Sequence, residues 1–318
     1  MSAALNRRGL LALGAGAFAA ACGGGGDGGV PFRIGYQKNG VLFIAKERGG
    51  ADAALKAAGA GRVSWAEFAS GPPLLEALAA KAIDFGSTGD SPPVFAQSAG
   101  ADLVYVAAVP LSGRAAAILV NGASPLRTVA QLRGKRVAFS QGSSAQILLA
   151  SALAAQGMTL ADIQPLNLGP ADAGIALGRG DADAWVVWDP YYAQSELAQK
   201  TRAIATGDIG PRSYQFYLAS RSFAEAQPAV LSAMLNHLRA EGAWAQAHAA
   251  DVAGIMSRAT GVDAAIQQRV AERQDYAIAP LTDTVIRDQQ ALADRLAREG
   301  AAKRVDVASA VWRGWIPA

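Results

Sequence analysis

Cysteine is nearly absent from this chain: Cys22 is the single one in 318 residues. One thiol cannot form an internal disulfide, and with none after residue 22 the body of the protein has neither a Cys nucleophile nor a thiolate metal ligand. Histidine is almost as scarce. His237 and His248 are the only two, on a late helical stretch, where incidental surface or core placement is the plain reading and no metal site is expected. Charge is low, at 17% of residues, and nearly balanced: the net +3 includes Arg7 and Arg8 near the N-terminus. The remainder is close to neutral, which leaves no electrostatic footprint for nucleic acid. Long apolar runs are missing too, since the stretch 10–18 is too short for a membrane span.

What is present is 51% apolar content over a length that suits two compact domains. The first 22 residues read as an export signal. Asn6-Arg7-Arg8-Gly9 supplies paired arginines, 10–18 an apolar core, and Ala19-Ala20-Ala21-Cys22 a small-residue cleavage site. Cys22 stands where a bacterial lipoprotein carries its lipid, although Ala19 occupies a position where Leu is usual. Lipid anchoring and cleavage to a free protein both stay open. Residues 23–29, mostly glycine, form a flexible tether.

From Val30 onward short β-type runs alternate with Ala/Leu-rich helical runs, the pattern of an α/β fold with largely parallel sheets. Strands are expected at 32–36, 62–68, 82–85 and 103–108, with helices at 42–58, 73–81 and 92–99. The breaker Pro110-Leu111-Ser112-Gly113 marks a first crossing between lobes. A second α/β unit follows, with strands at 136–140, 163–168, 182–187 and 202–206. After the breaker Gly210-Pro211, the aromatic strand 214–219 is read as the return crossing, and from Ser222 the chain is mainly helical. The expected division is 30–112 with 215–318 as lobe 1 and 113–214 as lobe 2. Two crossings would leave a hinge and a cleft that closes over a ligand.

Ligands of open α/β sheets bind beyond the carboxyl ends of the strands. The richest such junction is Gly142-Ser143-Ser144, between the strand-like run 136–140 and a helical run. A glycine and two hydroxyls at a helix start aim N–H and O–H donors at one point, which suits a small oxyanion. A second junction, Gly89-Asp90-Ser91 followed by Pro92-Pro93, could form the opposite wall. Asp90 is expected mainly to cap the helix beginning at Ser91, and secondarily to meet a cation on the ligand. Gln37 follows the first strand, and Trp188-Asp189-Pro190 ends another. Alternation places Trp185 in the core and Trp188 at the cleft. Lys38 is the only cation in these loops, so dipoles and hydroxyls are expected to meet the negative charge. Asp181 and Asp183 read as solvated or capping groups.

Taken in order, Ile34-Gly35-Tyr36-Gln37-Lys38, Ser70-Gly71-Pro72-Pro73-Leu74-Leu75, Asp84-Phe85-Gly86-Ser87-Thr88-Gly89-Asp90-Ser91-Pro92-Pro93, Gly142-Ser143-Ser144-Ala145, Trp188-Asp189-Pro190, Tyr214-Gln215-Phe216-Tyr217 and Val311-Trp312-Arg313 resemble the substrate-binding proteins of aliphatic sulfonate ABC transporters. That family is related to the taurine and nitrate binders. The resemblance implies a two-lobed periplasmic-binding-protein fold (type II), monomeric and exported to the periplasm or the outer membrane face. It implies no cofactor, no metal and no catalysis, with a separate permease and ATPase as partners. It also implies that Gly142, Ser143 and Ser144 hold the sulfonate, with Gln37, Gly89, Asp90, Ser91, Trp188, Asp189 and Gln215 lining the rest. Gln146 stands where relatives often have His, which bears on substrate preference. The alternatives are a binder of taurine, nitrate or another small oxyanion, or an enzyme of thiamine-precursor metabolism on the same fold.

Overall fold

The computed structural model describes residues 29–209 and 212–317. The stretch read as an export signal, Cys22 and all of the expected tether but Gly29 lie outside these residues, as do Gly210 and Pro211.

The chain opens with β1 (Val30–Tyr36), α1 (Gly40–Arg48), α2 (Ala51–Ala57), β2 (Ala60–Glu67), α3 (Gly71–Ala79), β3 (Phe85–Thr88), α4 (Ser91–Ser98) and β4 (Leu103–Leu111). It then builds β5 (Ala116–Asn121), β6 (Arg136–Phe139), α5 (Ser144–Ala154), β7 (Gln164–Asn167), α6 (Pro170–Arg179), β8 (Ala184–Trp188), α7 (Tyr191–Ala198) and β9 (Thr201–Thr206). It finishes with β10 (Ser213–Ser220), α8 (Arg221–Ala226), α9 (Pro228–Ala247), α10 (Ala249–Thr260), α11 (Ala264–Arg273) and α12 (Asp283–Arg298).

Two five-stranded sheets result, in the orders β2-β1-β3-β10-β4 and β7-β6-β8-β5-β9. Both are mixed, four strands of each running one way, as the largely parallel expectation has it, and one strand running against them. β10 runs antiparallel to β3 and β4, and β5 antiparallel to β8 and β9. The reason is topological. Each of these strands enters its sheet directly from the other one, at the edge where its neighbours end, so it must run the opposite way. β10 therefore belongs wholly to the first sheet, and the return crossing lies before it, between Thr206 and Ser213.

Local chemistry explains two further departures. The single helix expected over 42–58 is broken at Gly49 and Gly50, whose φ values of 75° and 90° lie in the left-handed region that glycine tolerates. The strand expected from 82 starts only at Phe85. Asp84 instead receives the backbone N–H of Arg33 at 2.9 Å and its guanidinium at 2.6 Å. Asp183 takes Arg136 in the same way, with the N–H at 2.8 Å and the guanidinium at 2.9 Å. That clamp holds the Asp183 carboxyl below the usual carboxylate range, its hydrogen bonds from Arg136 outweighing desolvation.

Apolar side chains fill both faces of each sheet. Phe32, Phe85, Tyr217 and Leu231 pack on one face of the first; Leu74, Tyr105, Phe216 and Leu296 pack on the other. Val137, Leu149 and Val186 sit on one face of the second, opposite Leu119, Leu177 and Trp185. Each such side chain contributes about 1.5–3 kcal/mol by burial. The C-terminal helices do not all stay with the first sheet: Ile266 and Val270 of α11 pack on Ala193 of α7. Among the described residues no helix is long and apolar enough to cross a membrane.

Candidate functional site

The carboxyl ends of β1, β3, β6 and β8 face one another across a cavity of about 420 Å³. The two serine-rich junctions meet there. Gly142 has φ 75° and turns the chain from β6 into α5. Ser143 is the N-cap: its Oγ accepts the Ala145 N–H at 3.2 Å and donates to the Ser140 carbonyl at 2.6 Å. Ser144 points outward from the turn and donates to Asp90 Oδ1 at 3.0 Å, with Ser91 Oγ 3.4 Å away. Gly89 permits this approach, since a Cβ there would stand 2.1 Å from Ser144 Oγ.

Asp90 does not cap α4, contrary to expectation. An N-cap side chain accepts from the N–H of the second or third helical residue, and here those are Pro92 and Pro93, which have none. The carboxylate turns instead toward the cleft, 6% exposed. It collects three hydroxyls, from Ser91 at 3.2 Å, Ser144 at 3.0 Å and Ser213 at 2.7 Å. These contacts join residues on both sides of the cleft.

Gln37 donates to the Ser87 carbonyl at 3.1 Å and Gln215 to Ser87 Oγ at 3.2 Å, both nearly buried. Trp188 is half-buried at the cavity wall, whereas Trp185 is 2% exposed and packs in the core. Asp189 is 1% exposed. Its Oδ1 accepts the Ala193 N–H at 2.9 Å and lies 3.5 Å from Arg273 Nη1, while Oδ2 has no partner among the described residues. Burial pushes its carboxyl up to about 7, against the pull of Arg273.

Gln37, Gly89, Asp90, Ser143, Ser144, Trp188, Asp189 and Gln215 all line the cavity; Ser91, Gly142 and Gln146 stand just behind it. Gln146 folds back so that its Oε1 accepts the Gly142 N–H at 2.7 Å. That interaction occupies one of the donors expected for an anion. The Ser144 N–H keeps no protein acceptor among the described residues.

The strand-end loops carry no arginine, as expected, but other elements bring three to the cavity. Arg212, Arg295 and Arg298 line the cavity, whereas Lys38 pairs with Glu67 at 3.0 Å and does not. Two of the three come from α12, some 150 residues beyond the serine turn, where no strand-end rule would look. One sequence signal could have found this helix. Gln289 sits in the apolar stripe of Leu292, Ala293 and Leu296 and is 1% exposed. A polar residue on a buried stripe needs partners, and Gln289 donates to the Asp90 carbonyl at 2.6 Å and to the Tyr105 hydroxyl at 3.2 Å. Ser213 was missed for a similar reason, being placed by the return of β10. Neither His237 nor His248 lines the cavity, and among the described residues no His/Cys/Asp/Glu group could hold a metal.

Residues 69–251 match the NMT1/THI5-like family. An aliphatic sulfonates-binding protein of Escherichia coli (strain K12) is 38% identical over 284 residues, 88% of either chain. The solved alkanesulfonate-binding protein SsuA from Xanthomonas axonopodis pv. citri, bound to MOPS, superposes with a TM-score of 0.82 at 39% identity, covering 89% of this chain and 98% of its own. The desulfurization enzyme DSZB, at 15% identity and a TM-score of 0.60 over 91% of this chain and 96% of its own, shares the fold alone. The fold is thus the two-lobed one of periplasmic binding proteins. The chain belongs to the NMT1/THI5-like family and, within it, to the aliphatic sulfonate-binding proteins.

Proposed function

We propose that this protein is the substrate-binding component of an ABC importer, capturing an aliphatic sulfonate between its lobes and handing it to a permease driven by an ATPase. One observation carries the reading. A helix N-terminus with a free N–H at Ser144 opens into a cavity whose wall continues through Ile147, Leu148 and Leu292. An oxyanion head suits the first part and an alkyl chain the second. A sulfonate is a permanent monoanion, so oriented N–H and O–H groups can hold it without a bidentate clamp. Micromolar binding needs roughly 8 kcal/mol, and each charge-assisted bond supplies about 1.5–3 kcal/mol. The Ser144 N–H is open, while the Ser144 and Ser213 hydroxyls would have to turn from Asp90 to the ligand, and burial of the alkyl chain adds the rest.

Gln37, Gly89, Asp90, Ser91, Gly142, Ser143, Ser144, Gln146, Trp188, Asp189 and Gln215 form the proposed site, with two lobes closing on it, 30–112 plus 213–318 and 113–212, the return boundary moved ahead of β10. The protein so proposed binds without turnover and is exported, either released after cleavage or held at the membrane face through a lipid on Cys22. The cavity volume of about 420 Å³ favours a longer alkanesulfonate over nitrate or the two-carbon aminosulfonate taurine, which would leave much of it unfilled. A thiamine-precursor enzyme would need His or Cys at the cleft, and neither type lines it.

Titration calorimetry of the exported protein with octanesulfonate, taurine, nitrate and sulfate tests the proposal. Octanesulfonate should bind with micromolar affinity or better, and no product should form on prolonged incubation. Silence with all four ligands overturns it.

A further inference from the structure

Helices α5 and α12 both line the cavity and are tied together at two places, once through Asp90 and once directly. At one, Ser144 of α5 donates to the Asp90 carboxylate at 3.0 Å and Gln289 of α12 donates to the Asp90 carbonyl at 2.6 Å. At the other, Arg295 Nη1 of α12 donates to Ser151 Oγ of α5 at 2.9 Å. The helices therefore run in the same direction, from the serine turn toward Arg295. At 1.5 Å per residue the two meeting places are about 9–10 Å apart, and Arg298 lies nearly a turn further on. Ile147, Leu148 and Leu292 face the cavity between them.

The far end is cationic. Arg295 is matched by Glu299 at 2.9 Å, so it adds little net charge. Arg298 also lines the cavity, is exposed, and has no ion pair or hydrogen bond among the described residues. Arg212, the third arginine of the wall, belongs to the opposite end, beside Ser213 and its bond to Asp90. In order, then, the cavity offers the serine turn, where Asp90 is held by hydroxyls, Asp288 accepts the Tyr214 hydroxyl and Arg212 stands nearby, then an apolar stretch, and last an unmatched guanidinium.

A simple alkanesulfonate uses the first two and presents a methyl group to Arg298. We infer that the preferred ligands are alkanesulfonates bearing a second anionic group, carboxylate or sulfonate, at the far end of the chain, with Arg298 as the residue that selects them. This rests on the sulfonate reading of the serine turn. Chain length matters, because a short dianion cannot reach both ends at once.

Calorimetry at low ionic strength with octanesulfonate, octanedisulfonate and ethanedisulfonate tests it. Octanedisulfonate should bind about fivefold to tenfold more tightly than octanesulfonate, the range between an exposed ion pair and a charge-assisted hydrogen bond. Ethanedisulfonate should gain no such advantage. Arg298→Gln should bring the octyl ratio to about one, and Arg298→Lys should retain part of it. Equal affinities for the two octyl ligands in the unaltered protein, or a ratio that survives Arg298→Gln, overturn the inference while leaving sulfonate binding intact. Failure of every sulfonate to bind overturns both readings.

Discussion

Arg273→Met should strand the Asp189 carboxylate inside the protein. Arg273 reaches from the end of α11 to the end of β8, its side chain 10% exposed and that of Asp189 0%. Nη1 lies 3.5 Å from Asp189 Oδ1, Nη2 donates to Glu196 at 2.7 Å, and the guanidinium stacks 4.2 Å from the Tyr192 ring centroid. Methionine keeps much of the packing on Tyr192 and removes the charge. Breaking a buried pair from one side costs about 3–5 kcal/mol, because the other charge is left uncompensated. Asp189 has one relief, which is protonation. Its folded value of about 7 lies above the unfolded carboxyl value near 3.9. The folded state therefore binds more protons between about pH 4 and pH 7, and this group adds stability as pH falls through that window. Without Arg273 the counterweight to desolvation is gone, and the window extends to higher pH. Urea unfolding should show a loss of roughly 3 kcal/mol or more at pH 8 that shrinks by pH 5. Asp189→Asn on the Arg273→Met background should restore most of the loss, and the four proteins form a double-mutant cycle. A loss under about 1 kcal/mol at pH 8, or a double variant no more stable than Arg273→Met, would refute the reasoning.

The two serines should separate by phenotype. Ser143→Ala removes an N-cap and should lower unfolding free energy by about 1 kcal/mol, read by urea denaturation, while Ser144→Ala should weaken octanesulfonate binding by about 1–3 kcal/mol. Gly89→Ala places a methyl against Ser144 Oγ and should reduce octanesulfonate affinity at least tenfold in calorimetry, with little change in the circular dichroism spectrum. Gln146→Ala frees the Gly142 N–H and should tighten octanesulfonate binding about threefold to tenfold, the worth of one hydrogen bond that the ligand no longer displaces.

The two-sheet architecture was legible because hydrophobic alternation and glycine/proline breakers are local. Trp185 and Trp188 were assigned to opposite faces by parity alone, and the structure places them so. Asp90 departs from the cap rule because Pro92 and Pro93 have no N–H to give, a fact legible in the sequence itself. The antiparallel placement of β5 and β10 was invisible to a reading of one strand at a time.

By itself the sequence determined the classes of chemistry available: one thiol, at Cys22, two histidines, and serine-glycine turns at strand ends. It also determined where helices and strands form, since those depend on neighbours a few residues apart. Only the tertiary structure decided that Ser144, Asp90 and Ser213 converge, and that α12 brings Gln289, Arg295 and Arg298 to the same cavity. Such contacts span 54 to 199 residues. No local pattern encodes them, because they exist only once both sheets and the C-terminal helix α12 have come together around the cavity.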